Sequence, residues 1–167
     1  RFRLINYYGY ESYGYDPILP TGEDSVMIAR EPVTTAEGVR MCFQRAALDY
    51  GRMPEVHLYT NLTTAMVIYQ IMDTFREADD NDINILYLSG HGSESLTSLL
   101  TYGGGYLYHS QLKSAFTGIK GHNVILLDCC YSGGYIDSGF YEGYFTHVLT
   151  AATAKQTSIG SLDNYAY

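Results

Sequence analysis

The chain has 167 residues, of which 46% are hydrophobic and 17% charged, enough apolar material for one domain with its own core. Its net charge of −8 excludes a nucleic-acid scaffold, which needs clustered Lys and Arg to meet phosphate. No apolar run reaches the ~18 residues that cross a bilayer, and three cysteines, two of them adjacent, build neither a disulfide framework nor a C-x-x-C metal site.

No repeat, low-complexity tract or linker divides the chain, so residues 1–167 read as a single domain. Leu4-Ile5 belongs to a first strand, and Tyr7 to Thr21 is a Gly-, Tyr-, Asp- and Pro-rich surface loop. A helix runs from about Thr35, its N-cap, to Tyr50, with Gly51 just past its end. Val56 to Tyr59 is a short strand. Asn61 or Thr63 then opens a helix whose apolar positions Met66, Ile68, Ile71, Met72 and Phe75 follow the helical period. Ile83 to Leu88 reads as a buried strand stopping at Ser89-Gly90-His91-Gly92, and Asn123 to Leu127 as another stopping at Asp128-Cys129-Cys130-Tyr131-Ser132-Gly133-Gly134. Between them a helix runs from Ser110 to about Thr117 and closes at Gly118. A further strand lies near His147 to Thr153. Strands alternating with helices predict an α/β fold with a mostly parallel sheet covered on both faces. The two strands flanking the crossover end on one edge of that sheet, where ligands of open α/β folds bind.

His91 and Cys130 each follow the end of a central strand. On neighbouring strands ~4.8 Å apart, or one strand further, both face a single cleft. A thiol nucleophile needs an imidazole to manage its proton and tight glycine turns to expose both groups. Gly90, Gly92, Gly133 and Gly134 supply the turns. Backbone N–H groups of Gly92 and Cys130, leaving strand ends unpaired, are candidates for an oxyanion hole. The alternative reading makes both cysteines ordinary buried residues and His91 a strand terminator.

An apolar strand ending in His-Gly, followed by one ending in Asp-x-Cys-x-Ser-Gly, resembles the caspase-like (clan CD) cysteine peptidases. Ile85–Gly92 resembles their histidine motif and Val124–Gly133 their cysteine motif, and Asp128–Gly133 is most similar to the metacaspase, bacterial caspase-like and clostripain-type versions. The resemblance implies a three-layer αβα sandwich and an endopeptidase working through a thioester. It implies Cys130 as nucleophile and His91 as general acid/base, with Cys129 on the family's variable position. It also places Asp128 in the S1 pocket, where a carboxylate favours Arg or Lys at P1. Legumain-like relatives have an acid there yet cut after asparagine, and Asp128 also reads as a cap on the following turn. Thr153, in Ala151–Ser158, resembles a metacaspase S1 wall, and Asp24 corresponds to an acidic residue facing the same pocket.

The remaining signals have plainer readings. His57 reads as a packed strand histidine, and His109, His122 and His147 as solvated residues. Asp79, Asp80 and Asp82 form an acidic turn; Ca²⁺ enters only as a candidate activator, since thiol chemistry requires no cofactor. Gly103-Gly104-Gly105 lacks the residues of a phosphate loop and reads as a turn. Relatives extend beyond the residue matching Tyr167, so the expectation is a large-subunit part, with proteolytic processing and a small subunit as partner. The implied substrate is a protein or peptide, with no nucleic acid and no membrane span. The Arg1 start and the 18 tyrosines lean towards a secreted or cell-envelope bacterial enzyme, with the cytoplasm as the alternative. Two other functions compete: a catalytically silent caspase-like binding module, and a thiol hydrolase or acyltransferase acting on non-peptide esters or amides.

Overall fold

The computed structural model describes residues 2–8, 40–45, 48–49, 55–95, 97–139 and 146–158. Five strands form a parallel sheet in the order β2-β1-β3-β7-β8: β1 is Phe2–Tyr8, β2 Glu55–Thr60, β3 Ile83–Gly90, β7 His122–Cys129 and β8 Thr146–Thr150. Helix α1, Thr64–Thr74, leads from β2 towards β3, and α2, His109–Ala115, precedes β7. Short α3, Gly133–Asp137, follows β7.

The pattern of side chains explains the layers. Along β3, residues 84–89 are all buried, as expected of a central strand covered on both faces. Leu86 and Leu88 join Ile125, Leu127 and Cys129 of β7, and Val67, Ile71, Phe75, Leu112 and Phe116 of the helical layer, in the main core. The Phe75 and Phe116 rings meet there at 5.9 Å between centroids. Ile85 and Tyr87 point to the other face, with Val124, Leu126, Val56 and Phe43 of a helical segment, 40–45. Helices therefore cover both faces, and the fold is a caspase-like αβα sandwich. Each fully buried aliphatic side chain contributes roughly 1.5–3 kcal/mol.

Register between β3 and β7 is fixed by a buried polar pair. Asn84 lies opposite Asn123, and its Nδ2 donates to Asn123 Oδ1 at 2.9 Å and to the Lys120 carbonyl at 2.8 Å. In a hydrophobic interior a one-residue slip would strand these amides without partners, so the pair specifies the alignment.

Between β3 and α2 the chain forms a second, antiparallel sheet that the sequence pattern missed: β4 Gly92–Ser93, β5 Ser98–Thr101 and β6 Gly105–Tyr108. Gly103 and Gly104, at φ +78° and +77°, make the turn expected of them. The same sheet displaces the start of α2 from Ser110 to His109, with Tyr108 as N-cap. Other boundaries also move. The strands run on to Gly90 and Cys129 rather than stopping at Leu88 and Leu127. On α1, Thr63 is the N-cap, but Met66 and Met72 are exposed, so its apolar stripe is narrower than its period implied. His57 is half-buried on β2, with Nε2 2.9 Å from Glu55 Oε1. His122 and His147 are exposed, whereas His109 keeps a buried Nδ1 that has no hydrogen-bond partner among the described residues.

Candidate active site

The last rung between β3 and β7 pairs Gly90 with Cys129. His91 and Cys130 are therefore the next residue on each strand, leaving the sheet side by side at its carboxyl edge. Gly90 makes this exit at φ +151°, a conformation that side chains disfavour. His91 is exposed and Cys130 half-buried, so both are reachable from solvent.

The two turns are packed backbone on backbone. A β-carbon at Gly92 would lie 1.8 Å from the Cys130 carbonyl oxygen, so only glycine lets the histidine turn rest on the cysteine turn. The antiparallel sheet holds the first turn, because the Leu100 amide donates to the His91 carbonyl at 2.8 Å. That bond makes Gly92 and Leu99 a narrow, non-hydrogen-bonded pair, which turns the Gly92 N–H away from β5.

Segment 151–158 holds the second turn. The Tyr131 amide donates to the Gln156 carbonyl at 2.7 Å and the Gly133 amide to the Ala152 carbonyl at 2.9 Å. Buried Ser132 accepts from the Ala152 amide at 3.1 Å and donates to its carbonyl at 3.3 Å. Tyr131 takes φ +59°, an uncommon conformation for a side-chain-bearing residue, immediately after Cys130. Ser158 completes the surroundings of the thiol: Cys130 Sγ donates to its carbonyl at 3.7 Å, and its hydroxyl donates to Sγ at 3.9 Å.

Strand alternation separates the two adjacent cysteines. Cys129 is 1% exposed in the main core, and its thiol is pushed up to about 12 by burial first, then by Asp128 and Cys130. Such a thiol stays protonated and inert at neutral pH. Asp128 lies on the opposite face, half-buried, where Tyr87 donates to its Oδ2 at 2.6 Å. Burial raises its carboxyl above the usual value, and the Tyr87 bond opposes the rise.

His91, Gly92, Asp128 and Cys130 thus meet at one edge. Thr153 is exposed in the segment docked on that edge, its hydroxyl donating to Gln156 Oε1 at 3.0 Å. Asp24 lies outside the described residues. Among the described residues no three His, Cys, Asp or Glu side chains form a metal site. In the acidic turn, carboxylates of Asp79 and Asp82 accept backbone amides of Asn81 and Asp79. No described helix is long and apolar enough to cross a membrane. Sequence reading gave no individual role to Tyr87, Ser132 or Ser158, although each lies in a stretch it singled out. Period-two alternation puts Tyr87 on the face of Ser89, but its partner depends on cross-strand register.

The parallel αβα sandwich, with a histidine turn and a cysteine turn side by side at its carboxyl edge, is compatible with the caspase-like cysteine peptidases. The model of the peptidase C13 family matches residues 60–166, and the chain belongs to that family, a clan CD family of cysteine peptidases. It is accordingly a cysteine peptidase, acting on protein or peptide. No curated protein matches the chain.

Proposed function

We propose that the protein is an endopeptidase in which Cys130 is the nucleophile and His91 its proton partner. The observation that carries this reading is the Gly90–Cys129 rung, after which both residues emerge together. His91 accepts the thiol proton as Sγ attacks the peptide carbonyl, and the resulting oxyanion meets the Gly92 and Cys130 amides. His91 then returns the proton to the departing amine, leaving a thioester. Water, deprotonated by His91, attacks the thioester; the carboxylic acid product leaves and the thiol is restored.

Asp128, two residues before the nucleophile and on the face opposite Cys129, is the S1 acid in this reading. Its ionised carboxylate selects Arg or Lys at P1, with Thr153 and Asp24 as further walls. The raised carboxyl of Asp128 favours a second reading: a group less charged at mildly acid pH suits the neutral amide of asparagine as a hydrogen-bond partner.

Peptides identical except at P1, assayed with wild type, Cys130→Ala and Asp128→Ala, with and without Ca²⁺, separate these readings. Cleavage after Arg or Lys that vanishes in Cys130→Ala and collapses in Asp128→Ala is the expected result. Cleavage after asparagine keeps the dyad and replaces the cationic pocket. Failure of a folded protein to cut any peptide, or undiminished cutting by Cys130→Ala, overturns the catalytic assignment.

A further inference from the structure

Tyr87 lies in the strand part of the histidine motif, outside both turns, and it joins the two strands that carry the motifs. It is 5% exposed and forms with Ile85 a buried cluster against which Phe43, Val56, Val124 and Leu126 pack. Its register partner on β7 is Leu126, whereas its hydroxyl reaches two residues further along that strand to Asp128. A ring fixed by packing is a stiff arm, because its two side-chain torsions have little freedom left. The hydroxyl therefore holds Asp128 Oδ2 from inside the sheet, at 2.6 Å. The Tyr87 bond engages Oδ2 and leaves the second oxygen, Oδ1, for an incoming donor.

We propose that Tyr87 is a specificity-determining positioning residue: its buried phenol fixes the Asp128 carboxyl so that one oxygen meets the P1 side chain in a single orientation. The inference rests on Asp128 lining S1 and adds what makes that group selective. A carboxyl free to rotate pays orientational entropy when a ligand binds and accepts several geometries. A carboxyl held by a rigid donor discriminates by placement as well as by charge. Tyr87 acts through Asp128, so its effect falls on binding and on the difference between P1 side chains.

The test uses the whole chain and four peptides differing only in P1: Arg, Lys, Asn and Ala. The quantity read is kcat/KM for the best of the first three divided by kcat/KM for Ala. Tyr87→Phe, which keeps the ring, is expected to lower that ratio about tenfold, mainly through KM, as befits a lost hydrogen bond to a carboxylate. Alkylation of Cys130 by iodoacetamide reports that the variant's site is intact. In the Asp128→Ala background the same substitution is expected to change nothing further, since the two act as one unit. Fluorotyrosine installed at position 87, more acidic and scarcely larger, is expected to raise the ratio and keeps the test alive if Tyr87→Phe does not fold.

Equal loss on all four peptides, or an unchanged ratio in Tyr87→Phe while Asp128→Ala abolishes discrimination, sinks the role of Tyr87 alone. Retention of the P1 preference in Asp128→Ala sinks the S1 assignment itself, and the Tyr87 proposal with it.

Discussion

Gly92 rests on the carbonyl of Cys130: a β-carbon there would stand 1.8 Å from the oxygen, 2.8 Å from the carbonyl carbon and 3.2 Å from Cys129 Sγ. Two of these atoms are backbone, so a side chain can be admitted only by parting the histidine and cysteine turns. Overpacking of this kind costs about 1–3 kcal/mol, and a misplacement near 1 Å can cost about 100-fold in rate. Gly92→Ala is therefore expected to lower both the melting temperature and kcat/KM, the latter about 100-fold. Wild-type melting and turnover in that variant would disprove the close approach.

The two adjacent cysteines are expected to behave oppositely. Cys130 is half-buried, whereas the Cys129 thiol is held up to about 12 by burial and by the neighbouring Asp128 and Cys130. Iodoacetamide at pH 7.5 should label Cys130 and exposed Cys42 but leave Cys129 untouched, as read by peptide mass mapping. The same shift makes stability depend on alkaline pH. The folded state keeps its proton when the unfolded thiol, near 9, has lost it, so the Cys129 contribution is full below pH 9 and declines to about pH 12. At about 1.4 kcal/mol per pH unit the decline is at most about 4 kcal/mol. Tyr135, likewise pushed up by burial and by Cys129, adds to it, so Cys129→Ala should flatten the slope without abolishing it. An identical slope in wild type and Cys129→Ala would show that the thiol ionises as easily folded as unfolded.

Asp128 carries the opposite balance of cost and use. Burial, the larger cause, raises its carboxyl despite the Tyr87 bond, so the folded state favours the neutral form. Its contribution to stability is greatest below the unfolded value of 3.8 and is lost as pH rises through the folded value. Asp128→Asn is accordingly expected to melt a few degrees above wild type at pH 7. In the cationic reading the same substitution removes cleavage after Arg and Lys, and wild-type cleavage climbs with pH as the carboxyl ionises. A variant that melts lower at pH 7 would show that the ionised group is compensated in the fold.

The sequence made the central crossover legible because β3 and β7 are continuous apolar runs closed by glycine-rich turns. The placement of His91 and Cys130 at one edge of the sheet followed from where those runs stop, although each strand continues two residues past the last strongly apolar one. The small antiparallel sheet was not legible. Its strands are two to four residues long, too short for a period to emerge, and only the turn at Gly103-Gly104-Gly105 was read between Gly92 and Ser110. Met66 and Met72 show the same limit, since helical spacing marks a face but not the width that neighbours cover. Tyr87 and Ser158 could not be found from local pattern at all: one reaches Asp128 across the sheet, and the other reaches Cys130 from a segment 28 residues away.

Segment 151–158 makes the last prediction, through Gly133. A β-carbon there would meet the Ala154 nitrogen at 2.7 Å, the Thr153 carbonyl carbon at 2.8 Å and Thr153 Cα at 2.9 Å. All three are backbone atoms, so Gly133→Ala must push the segment away from the cysteine turn. The displacement strains the Gly133–Ala152 and Tyr131–Gln156 bonds and moves Ser158 from the thiol. Expected losses are about 1–3 kcal/mol in stability and about tenfold or more in kcat/KM. Gly118→Ala is the matched control: φ there is +86° with no atom within 4 Å, so it should cost about 1 kcal/mol of backbone strain and leave turnover unchanged. Equal effects of the two substitutions on kcat/KM would mean that segment 151–158 does not support the thiol, because only Gly133 touches it.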